Sequence, residues 1–531
     1  MAEPTSLREH RVVVVGAGIG GLVSALLLAC RGLQVTLVEA GAEPGGKMRQ
    51  VEVDGARIDA GPTVFTMRWV FDQILAQAGS SLESLLTLQP LSVLARHAWR
   101  GAEPGAPQCL DLYADLQASA DAIAQFSGPS EGRCYLAFCD EARRVYQRLE
   151  GPHIRSARPS VLRMIGDLGP GGLATLAGLG PFATLWTRLG WHFSDPRLRQ
   201  LFGRYATYCG ASPWQAPATL MLIAHVEQSG VWSLRGGMHV LPRALAQLAR
   251  ERGATLHFGQ AAERILVRDG RACGVRLADG RELPADSVVF NGDAGALAQG
   301  LLGPEAARAA PAVPLQRRSL SAVTWALHAR SSGFPLTRHN VFFCDDYRSE
   351  FDDVFRHRRL PRQGTVYVCA QDRADDGVAP AGRERLLCLV NAPADGDRRP
   401  FDASEIDPCL HRSLDLLQHC GLQLQPSAPQ VVSTTPAQFH RLFPGTGGAL
   451  YGAASHGWMA LFRRSGATSR LPCLYLAGGS VHPGPGVPMA AMSGRLAAET
   501  LLAHLDSTRR SRRVVICGGT STPSATTAGT A

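Results

Sequence analysis

Residues 12–22 decide the fold, and they read Val-Val-Val-Val-Gly-Ala-Gly-Ile-Gly-Gly-Leu. The unbroken β-branched run predicts a strand that is buried on both faces of a parallel sheet. The residues that follow predict a helix from Leu22 to Cys30 and a second buried strand from Gln34 to Val38. Glycines between a strand and a helix let the backbone approach a pyrophosphate, which the helix N-terminus attracts. The glycines expected at the phosphates of a bound dinucleotide are Gly16, Gly18 and Gly21.

An acidic residue, Glu39, ends the second strand. Its carboxylate can accept hydrogen bonds from both ribose hydroxyls, which favours a dinucleotide whose adenosine lacks a 2′-phosphate. The competing interpretation is a purely structural glycine turn in a flavodoxin-like sheet. We predict the dinucleotide site, because the strand, the turn, the helix and the acidic residue occur in the order that such a site requires.

Further strand patterns occur far downstream. Short apolar runs at 255–258, 264–268, 274–277 and 287–290 predict strands around a Gly-Arg turn, and 474–476 predict a strand that enters a glycine turn. A helix is expected from about Met489 to Leu505. We expect these distant segments to complete one nucleotide-binding sheet, with the stretches between them inserted as substrate-binding subdomains.

The predicted domain boundaries follow from this arrangement. Residues 1–110, 226–315 and 439–505 are assigned to the nucleotide-binding domain, 111–225 to a helical, apolar insertion, 316–438 to a substrate-domain sheet, and 506–531 to a disordered tail. The sheet assignment depends on the strand-like runs at 365–368 and 386–390. The tail assignment depends on its Ser/Thr/Gly/Ala-rich composition.

Composition narrows the class of protein. The 531 residues are 45% hydrophobic and 19% charged, which is ordinary for a folded enzyme and excludes a mostly disordered chain. The formal charge is +9, but the basic residues are scattered, so we expect no nucleic-acid partner. The 13 cysteines form no C-x-x-C pair, so neither a disulfide framework nor a zinc site is indicated. A reducing cytoplasm fits best.

Two more glycine-rich segments follow Glu39. Residues 41–48 include Gly46 and Lys47, and residues 58–63 include Gly61 and Pro62. They resemble the extended flavin-binding N-terminus of the amine-oxidase and phytoene-desaturase superfamily, in which a G-G-[KR] stretch runs beside the FAD pyrophosphate. An NAD dehydrogenase has no need of these turns, so the resemblance implies FAD as the cofactor.

The segment 474–489 carries a more specific resemblance, and it reads LYLAGGSVHPGPGVPM. It resembles the C-terminal signature of bacterial-type carotenoid desaturases, in which a strand, a Gly-rich turn and H-P-G-x-G-[IV]-P open a helix against the flavin. The helix N-terminus can then stabilise the anionic reduced flavin. Segments at 204–208, 230–232, 235–238 and 285–293 extend the resemblance over nearly the whole chain. The cofactor contacts that it implies here are Gly479, Val487, Pro488 and Met489.

This resemblance implies a fold and a reaction. The expected fold class is α/β, with an FAD-binding Rossmann-like domain of the amine-oxidase and phytoene-desaturase type and with inserted substrate and membrane-facing subdomains. Residues 63–71 and 482–490 look more like the hydroxyneurosporene or methoxyneurosporene dehydrogenase branch than like phytoene desaturase itself. Members of that branch desaturate the C-3,4 bond of acyclic carotenoids that carry a C-1 hydroxyl or methoxyl.

Four alternatives remain open from the sequence. A phytoene desaturase and a redox-neutral carotenoid isomerase share the fold and the FAD. A noncatalytic carotenoid-binding flavoprotein would bind pigment without reducing its flavin. An amine oxidase is disfavoured, because no convincing aromatic pair is placed to face the flavin.

No side chain is assigned a catalytic role, and no metal site is expected. The flavin accepts the hydride, and the polyene can delocalise a developing cation, so a strong base is not obligatory. A solvated helix face accounts for Asp140, Glu141, Arg143 and Arg144, and His482 is expected to be a turn residue. Thr66 and Arg68 are candidates for a polar contact with the oxygen function of the substrate.

The substrate implied by the resemblance dissolves in membranes. Each buried CH₂ contributes about 0.8 kcal/mol, so extraction of a carotenoid into water is very costly. Without a predicted transmembrane span, the protein is expected to lie peripherally on the cytoplasmic side of the membrane. We expect docking through residues 162–193, with Trp186 and Trp191 at headgroup level, and a buried helix pair is the alternative. The electron acceptor is expected to be oxygen or a quinone.

Overall fold

A five-stranded parallel sheet forms the centre of the nucleotide-binding half. The structure is a computed structural model that describes residues 7–157, 180, 182–374, 378–426 and 431–514. The strands are β1 (Arg11–Val15), β2 (Gln34–Glu39), β10 (Thr255–Phe258), β14 (Ser287–Phe290) and β21 (Leu474–Leu476), in the order β10-β2-β1-β14-β21. Every neighbouring pair is parallel. The prediction that distant segments share one sheet is therefore confirmed.

Strand β1 is buried on both faces, as its β-branched sequence predicts. Val12 and Val14 pack into the apolar cluster beneath the helices, whereas Val13 and Val15 pack into a second cluster on the other face. The helices that cover the first face include Ile19–Cys30, Val240–Glu251 and Val487–Val514. The first and the last of these cross so closely that a Cβ on Gly494 would lie 2.1 Å from the carbonyl oxygen of Gly20.

An eight-stranded, mainly antiparallel sheet forms the substrate half. Its strands are β7 (Val93–Trp99), β8 (Gln108–Tyr113), β15 (Ser321–Ser332), β16 (His339–Phe342), β17 (Val366–Ala370), β18 (Glu384–Ala392), β19 (Gln423–Pro426) and β20 (Val432–Thr434). The order is β19-β15-β18-β17-β16-β7-β8, and β20 also pairs with β15. The predicted boundary at residue 110 falls inside β8, because the hairpin β7-β8 joins this sheet through β16.

Helices pack against one edge of this sheet. Their bounds are Leu116–Ser127, Pro129–Leu149, Leu185–His192, Pro196–Gly203, Tyr205–Tyr208 and Leu222–Gln228, with a π-helix at Glu150–Ile154 and a 3-10 helix at Ala218–Met221. Side-chain caps define several starts: Asp115 accepts the N–H of Ala118, and Thr184 accepts the N–H of Thr187. Their apolar faces share one core with residues that follow β16, including Phe343.

The remaining elements connect these halves. Three smaller sheets comprise β3 (Gln50–Val53) with β4 (Ala56–Asp59); β5 (Phe65–Thr66), β9 (Val231–Leu234) and β6 (Leu88–Pro90); and β11 (Ala262–Arg268), β12 (Arg271–Leu277) and β13 (Glu282–Pro284). The other α-helices are Arg68–Gln77, Leu82–Leu85, Val240–Glu251, Ala294–Ala298, Tyr347–Phe351, Ala403–His419, Pro436–Leu442 and Ala460–Arg463. Short 3-10 helices occur at Leu7–Glu9, Pro304–Ala309 and Leu315–Arg317, and a π-helix occurs at Asp352–His357. Within the described residues, no helix has the length and apolar character needed to cross a membrane.

Candidate cofactor and substrate site

The first glycine turn lies at the carboxyl end of β1. Gly16 has φ +100°, a conformation that favours glycine. A Cβ on Gly21 would lie 2.0 Å from the carbonyl oxygen of Gly16, and one on Gly18 would lie 2.8 Å from the amide nitrogen of Asn291. Asn291 follows β14 and donates to the carbonyl of Gly16 at 3.3 Å. The turn therefore brings bare backbone to the start of the helix Ile19–Cys30, as a pyrophosphate site requires.

Glu39 lies beside this turn, at the carboxyl end of β2. One carboxylate oxygen accepts the N–H of Ala17 at 2.6 Å, and the other accepts the N–H of Gly41 at 2.8 Å. These two bonds fix the side chain and leave acceptor capacity on both oxygens. Glu39 can thus receive the two ribose hydroxyls that the sequence assigned to it.

The second glycine turn packs against the first, and the third packs against the second. The N–H of Gly45 donates to the carbonyl of Ala17 at 2.8 Å, and Gly46 has φ +57°. A Cβ on Gly61 would lie 1.8 Å from the carbonyl oxygen of Lys47, so only glycine fits there. Pro62 comes directly after this contact. All three turns therefore form one backbone cradle, although their assignment to cofactor contacts stays a prediction.

Two half-buried cations, Lys47 and Arg464, lie next to this cradle. Lys47 donates to the carbonyl of Leu450. Arg464 donates to the carbonyls of Tyr451 and Ala453, and both of these bonds are 2.8 Å long. Among the residues that the structure describes, neither cation has a carboxylate within 4.0 Å. Burial lowers the pKa of both side chains. The Asp293 carboxylate acts on both cations from beyond ion-pair distance. Because one distant carboxylate does not balance two desolvated cations, this pair fits an anionic group such as a pyrophosphate or a reduced flavin.

The C-terminal glycine turn completes the cradle. The N–H of Gly478 donates to the Ser493 hydroxyl at 2.7 Å, which fixes the turn against the helix Val487–Val514. A Cβ on Gly479 would meet nothing within 4 Å, so the backbone here borders open space. The residues predicted at this helix start, Val487, Pro488 and Met489, form its first turn.

His482 has a structural position in this turn. Its Nε2 lies 2.9 Å from the carbonyl oxygen of His153, to which it donates, and its side chain is buried. Burial lowers the pKa of His482 to about 4, so the imidazole is neutral near pH 7. These contacts agree with the predicted turn residue and give no support to a general base.

The carboxylates and arginines of the helical insertion have other partners. Asp140 pairs with Arg143 and Arg144 on an exposed helix face, as predicted. Glu141 instead connects two helices, because it accepts from Arg188 and lies 2.6 Å from His192 Nε2. Burial raises the pKa of Glu141, but the hydrogen bonds from His192 and Arg188 outweigh it and lower the pKa overall.

The two predicted substrate contacts, Thr66 and Arg68, lie elsewhere. Arg68 pairs with Asp72 at 3.1 Å and also with Glu83, so its guanidinium is engaged at the surface. Thr66 lies on β5, opposite Val231 of β9. The structure therefore does not bring either of them into the polar cavity described next.

A polar cavity of about 30 Å³ lies between the helical insertion and the eight-stranded sheet. Its lining residues are Arg204, Thr207, Tyr347, Glu350, Thr365, Tyr367, Leu389 and Asn391. The Tyr367 hydroxyl connects it to the third glycine turn, because it lies 2.7 Å from the Thr63 hydroxyl. Sequence reasoning missed this cluster. Arg204 and Thr207 lie in the segment 204–208, which carries the family resemblance, and Thr365, Tyr367 and Leu389 lie in runs that predict only strands. No motif brings these segments together with Tyr347, Glu350 and Asn391.

This geometry defines a class of protein, a dinucleotide-dependent oxidoreductase whose substrate region is inserted into its cofactor domain. Comparison with known proteins identifies the family within this class. The family described as flavin-containing amine oxidoreductase matches residues 19–502, so the chain belongs to that family and uses FAD. When bound, FAD supplies the acceptor for the hydrogen that is removed from the substrate.

Individual relatives are more specific. The chain is 68% identical to a hydroxyneurosporene desaturase of Rubrivivax gelatinosus over 100% of both chains. It is 46% identical to a hydroxyneurosporene desaturase of Cereibacter sphaeroides over 94% of this chain and 99% of that one. Among solved structures, an oxidoreductase from Methanosarcina mazei has a TM-score of 0.58 and 16% identity, covering 92% of this chain and 100% of that one. The predicted resemblance to carotenoid desaturases is confirmed.

Proposed function

We propose that this protein is an FAD-dependent desaturase that introduces the C-3,4 double bond into an acyclic carotenoid carrying a C-1 hydroxyl or methoxyl. The observation that carries the proposal is the 68% identity to a hydroxyneurosporene desaturase over the full length of both chains. The backbone cradle and the half-buried cations support the cofactor part. The polar cavity supports the substrate part, because a pure hydrocarbon has no use for it.

The test is product analysis with FAD-loaded protein. A 1-hydroxy acyclic carotenoid should give a product two hydrogen atoms lighter, with its longer polyene visible by absorbance. A redox-neutral isomerase would instead give a product of unchanged mass and would consume no electron acceptor. A noncatalytic carotenoid-binding flavoprotein would return the pigment unchanged, and preferential conversion of phytoene would indicate a phytoene desaturase.

We further propose that the protein binds peripherally to the cytoplasmic side of a membrane. Most of the predicted docking segment lies outside the described residues, but its end is described. Phe182 is 77% exposed and Trp191 is 62% exposed. Trp458, which is 48% exposed, lies edge-on to Phe182 with the ring centroids 6.2 Å apart. Exposed aromatic rings are suited to the headgroup level of a bilayer.

The two predicted anchor residues, Trp186 and Trp191, differ in their surroundings, because only Trp191 is largely exposed. Trp186 packs on Trp214 with the ring centroids 4.5 Å apart, so it stabilises the helical core rather than a membrane contact. We therefore expect Trp191→Ser together with Trp458→Ser to reduce sedimentation with anionic liposomes. Leu301→Ser is the matched control, because Leu301 is 47% exposed but follows β14 on the nucleotide-binding half. Equal liposome binding by both variants would exclude this aromatic surface as the anchor.

The electron acceptor follows from the same location. We infer that oxygen or a membrane quinone accepts the electrons from the reduced cofactor. Anaerobic incubation in liposomes with and without quinone separates the two. Product that accumulates without oxygen only when quinone is present indicates the quinone, and product that requires oxygen indicates oxygen.

A further inference from the structure

The polar cavity between the two subdomains has hydrogen-bond donors that the protein itself does not use. Arg204 carries five N–H donors, and its described side-chain hydrogen bond goes to the Tyr208 hydroxyl at 2.8 Å. Within the described part of the chain, no carboxylate lies within 4.0 Å of its guanidinium. The Glu227 carboxylate acts on it from beyond that distance and accepts the Tyr205 hydroxyl at 2.7 Å. The guanidinium is instead flanked by the rings of Tyr208 and Tyr367, each with its centroid 5.2 Å away.

Tyr347 provides a second, independent observation. Its side chain is 6% exposed, it lines the cavity, and its buried hydroxyl has no hydrogen-bond partner among the described residues. Aromatic neighbours hold the ring, including Phe351 and Trp214, with centroids 5.1 Å and 5.8 Å away. An unpartnered buried hydroxyl is unfavourable in a finished core, so its position indicates a ligand.

The carboxylate of the cavity is held by hydrogen bonds on both of its oxygens. One oxygen of Glu350 accepts the backbone N–H of Thr365 at 3.0 Å, and the other accepts the amide of Asn391 at 2.7 Å. The donors that remain available to a ligand are those of the Arg204 guanidinium and the Tyr347 hydroxyl. Two neighbouring donors can recognise an oxygen acceptor, and both a hydroxyl oxygen and a methyl ether oxygen are acceptors.

The position of the cavity fits the geometry of a C-3,4 desaturation. The C-1 oxygen is separated from C-3 by C-1 and C-2 alone, so its binding site must lie next to the cofactor. Tyr367 lines the cavity, and its hydroxyl lies 2.7 Å from that of Thr63, which follows Gly61 and Pro62 of the cofactor cradle. About 30 Å³ of space admits a small polar group but not a polyene.

We propose that Arg204 and Tyr347 bind the C-1 oxygen of the carotenoid end group and so determine selectivity for oxygenated substrates. This inference rests on the proposed function. An oxygen-free carotenoid leaves the Tyr347 hydroxyl and the remaining N–H donors of Arg204 without a ligand acceptor. A site built to hydrogen-bond an oxygen strongly rejects an analogue that lacks it. Because both groups donate, a 1-methoxy carotenoid is accepted as well as a 1-hydroxy carotenoid.

The decisive variant is Tyr347→Phe, which removes one hydroxyl and keeps the ring. We measure kcat/KM for a 1-hydroxy carotenoid and for the matching hydrocarbon without the oxygen. The preference for the oxygenated substrate should fall roughly tenfold in Tyr347→Phe and roughly a hundredfold in Arg204→Met. Arg204→Lys should recover part of the preference, because it restores a donor without the planar fork.

Tyr135→Phe is the matched control, since Tyr135 is buried in the same helical core but its hydroxyl accepts from Gln228 at 3.2 Å. Its substrate preference should equal that of the wild type. If Arg204→Met does not fold, Tyr347→Phe alone decides. An unchanged preference in Tyr347→Phe overturns the inference, and so does a loss of bound FAD in both cavity variants, which would make this a cofactor contact. Wild-type protein without any preference would contradict the proposed function itself.

Discussion

The cofactor cradle and the polar cavity are built in opposite ways. The cradle consists of backbone: three glycine turns pack one against the next, and Cβ atoms at Gly18, Gly21 and Gly61 would collide with neighbouring atoms. The cavity consists of side chains from separate helices and strands, such as Arg204, Tyr347 and Tyr367. A site made of backbone tolerates few residue types, whereas a site made of side chains can change its ligand through single substitutions.

This contrast is tested most strongly by adding one methyl group to the cradle. In Gly21→Ala, the new Cβ would lie 2.0 Å from the carbonyl oxygen of Gly16, so the turn must open. We expect purified protein to lose its FAD almost completely, measured by flavin absorbance. Gly151→Ala is the control, because a Cβ there meets nothing within 4 Å. Full FAD content in Gly21→Ala would show that the cradle is not the cofactor site.

A charge reversal at the ribose position should have the next largest effect. Glu39→Arg replaces a carboxylate that accepts the N–H groups of Ala17 and Gly41 with a cation that cannot accept any hydrogen bond. We expect the Kd for FAD to rise roughly a hundredfold, since charge-assisted hydrogen bonds are the strong ones. Titration of the apo protein with FAD measures this. Unchanged affinity, or recovery of NADP from the wild type, would contradict the assignment.

A buried histidine of the substrate half, His97, should make the protein sensitive to acid. Burial and the charge of Arg204 lower the pKa of His97 to about 3, although its bond to the Leu110 carbonyl opposes them. The unfolded chain then binds a proton below about pH 6.5 that the folded state rejects, so stability falls as pH falls. When the pH falls from 7 to 5, the free energy of unfolding should decrease in both proteins. The decrease should be about 2 kcal/mol smaller in His97→Gln than in the wild type. Parallel denaturant titrations at both pH values measure the difference, and equal losses would exclude a neutral buried His97.

Lys47 belongs to the second glycine turn of the cradle, and its substitution should change FAD binding less than Gly21→Ala and Glu39→Arg do. Lys47→Met removes a half-buried cation that has no carboxylate within 4.0 Å among the described residues. We expect FAD affinity to fall roughly tenfold while the Tm of the apo protein rises, because a desolvated cation without an ion pair destabilises the empty fold. FAD titration and thermal melts of the apo protein provide both values. A fall in both would indicate that the Leu450 carbonyl contact stabilises the fold.

The same contrast explains what the sequence could predict. The strands, the turns and Glu39 were predictable, because backbone conformation restricts them to glycines, β-branched runs and one acidic position at fixed spacing. The domain boundary near residue 110 was not predictable. It depends on the pairing of β7 with β16, and these strands are more than two hundred residues apart in the sequence.

The polar cavity was beyond sequence reasoning for a related reason. Oxygen selectivity predicted a buried polar side chain, but Arg68 has its own ion pairs at the surface. Arg204 differs from the many paired arginines because it has no carboxylate within 4.0 Å among the described residues. The absence of such an ion pair is visible only in three dimensions, and the same holds for Arg464 beside the C-terminal turn.

The most direct test of the account is a competition between substrates. FAD-loaded protein in liposomes receives equal amounts of a 1-hydroxy acyclic carotenoid and the same carotenoid without the oxygen, together with an electron acceptor. Chromatography with mass detection should show the hydroxylated pigment converted to a product two hydrogen atoms lighter, with its new double bond at C-3,4, while the hydrocarbon remains. Equal conversion of both pigments, or a product of unchanged mass, would contradict the account.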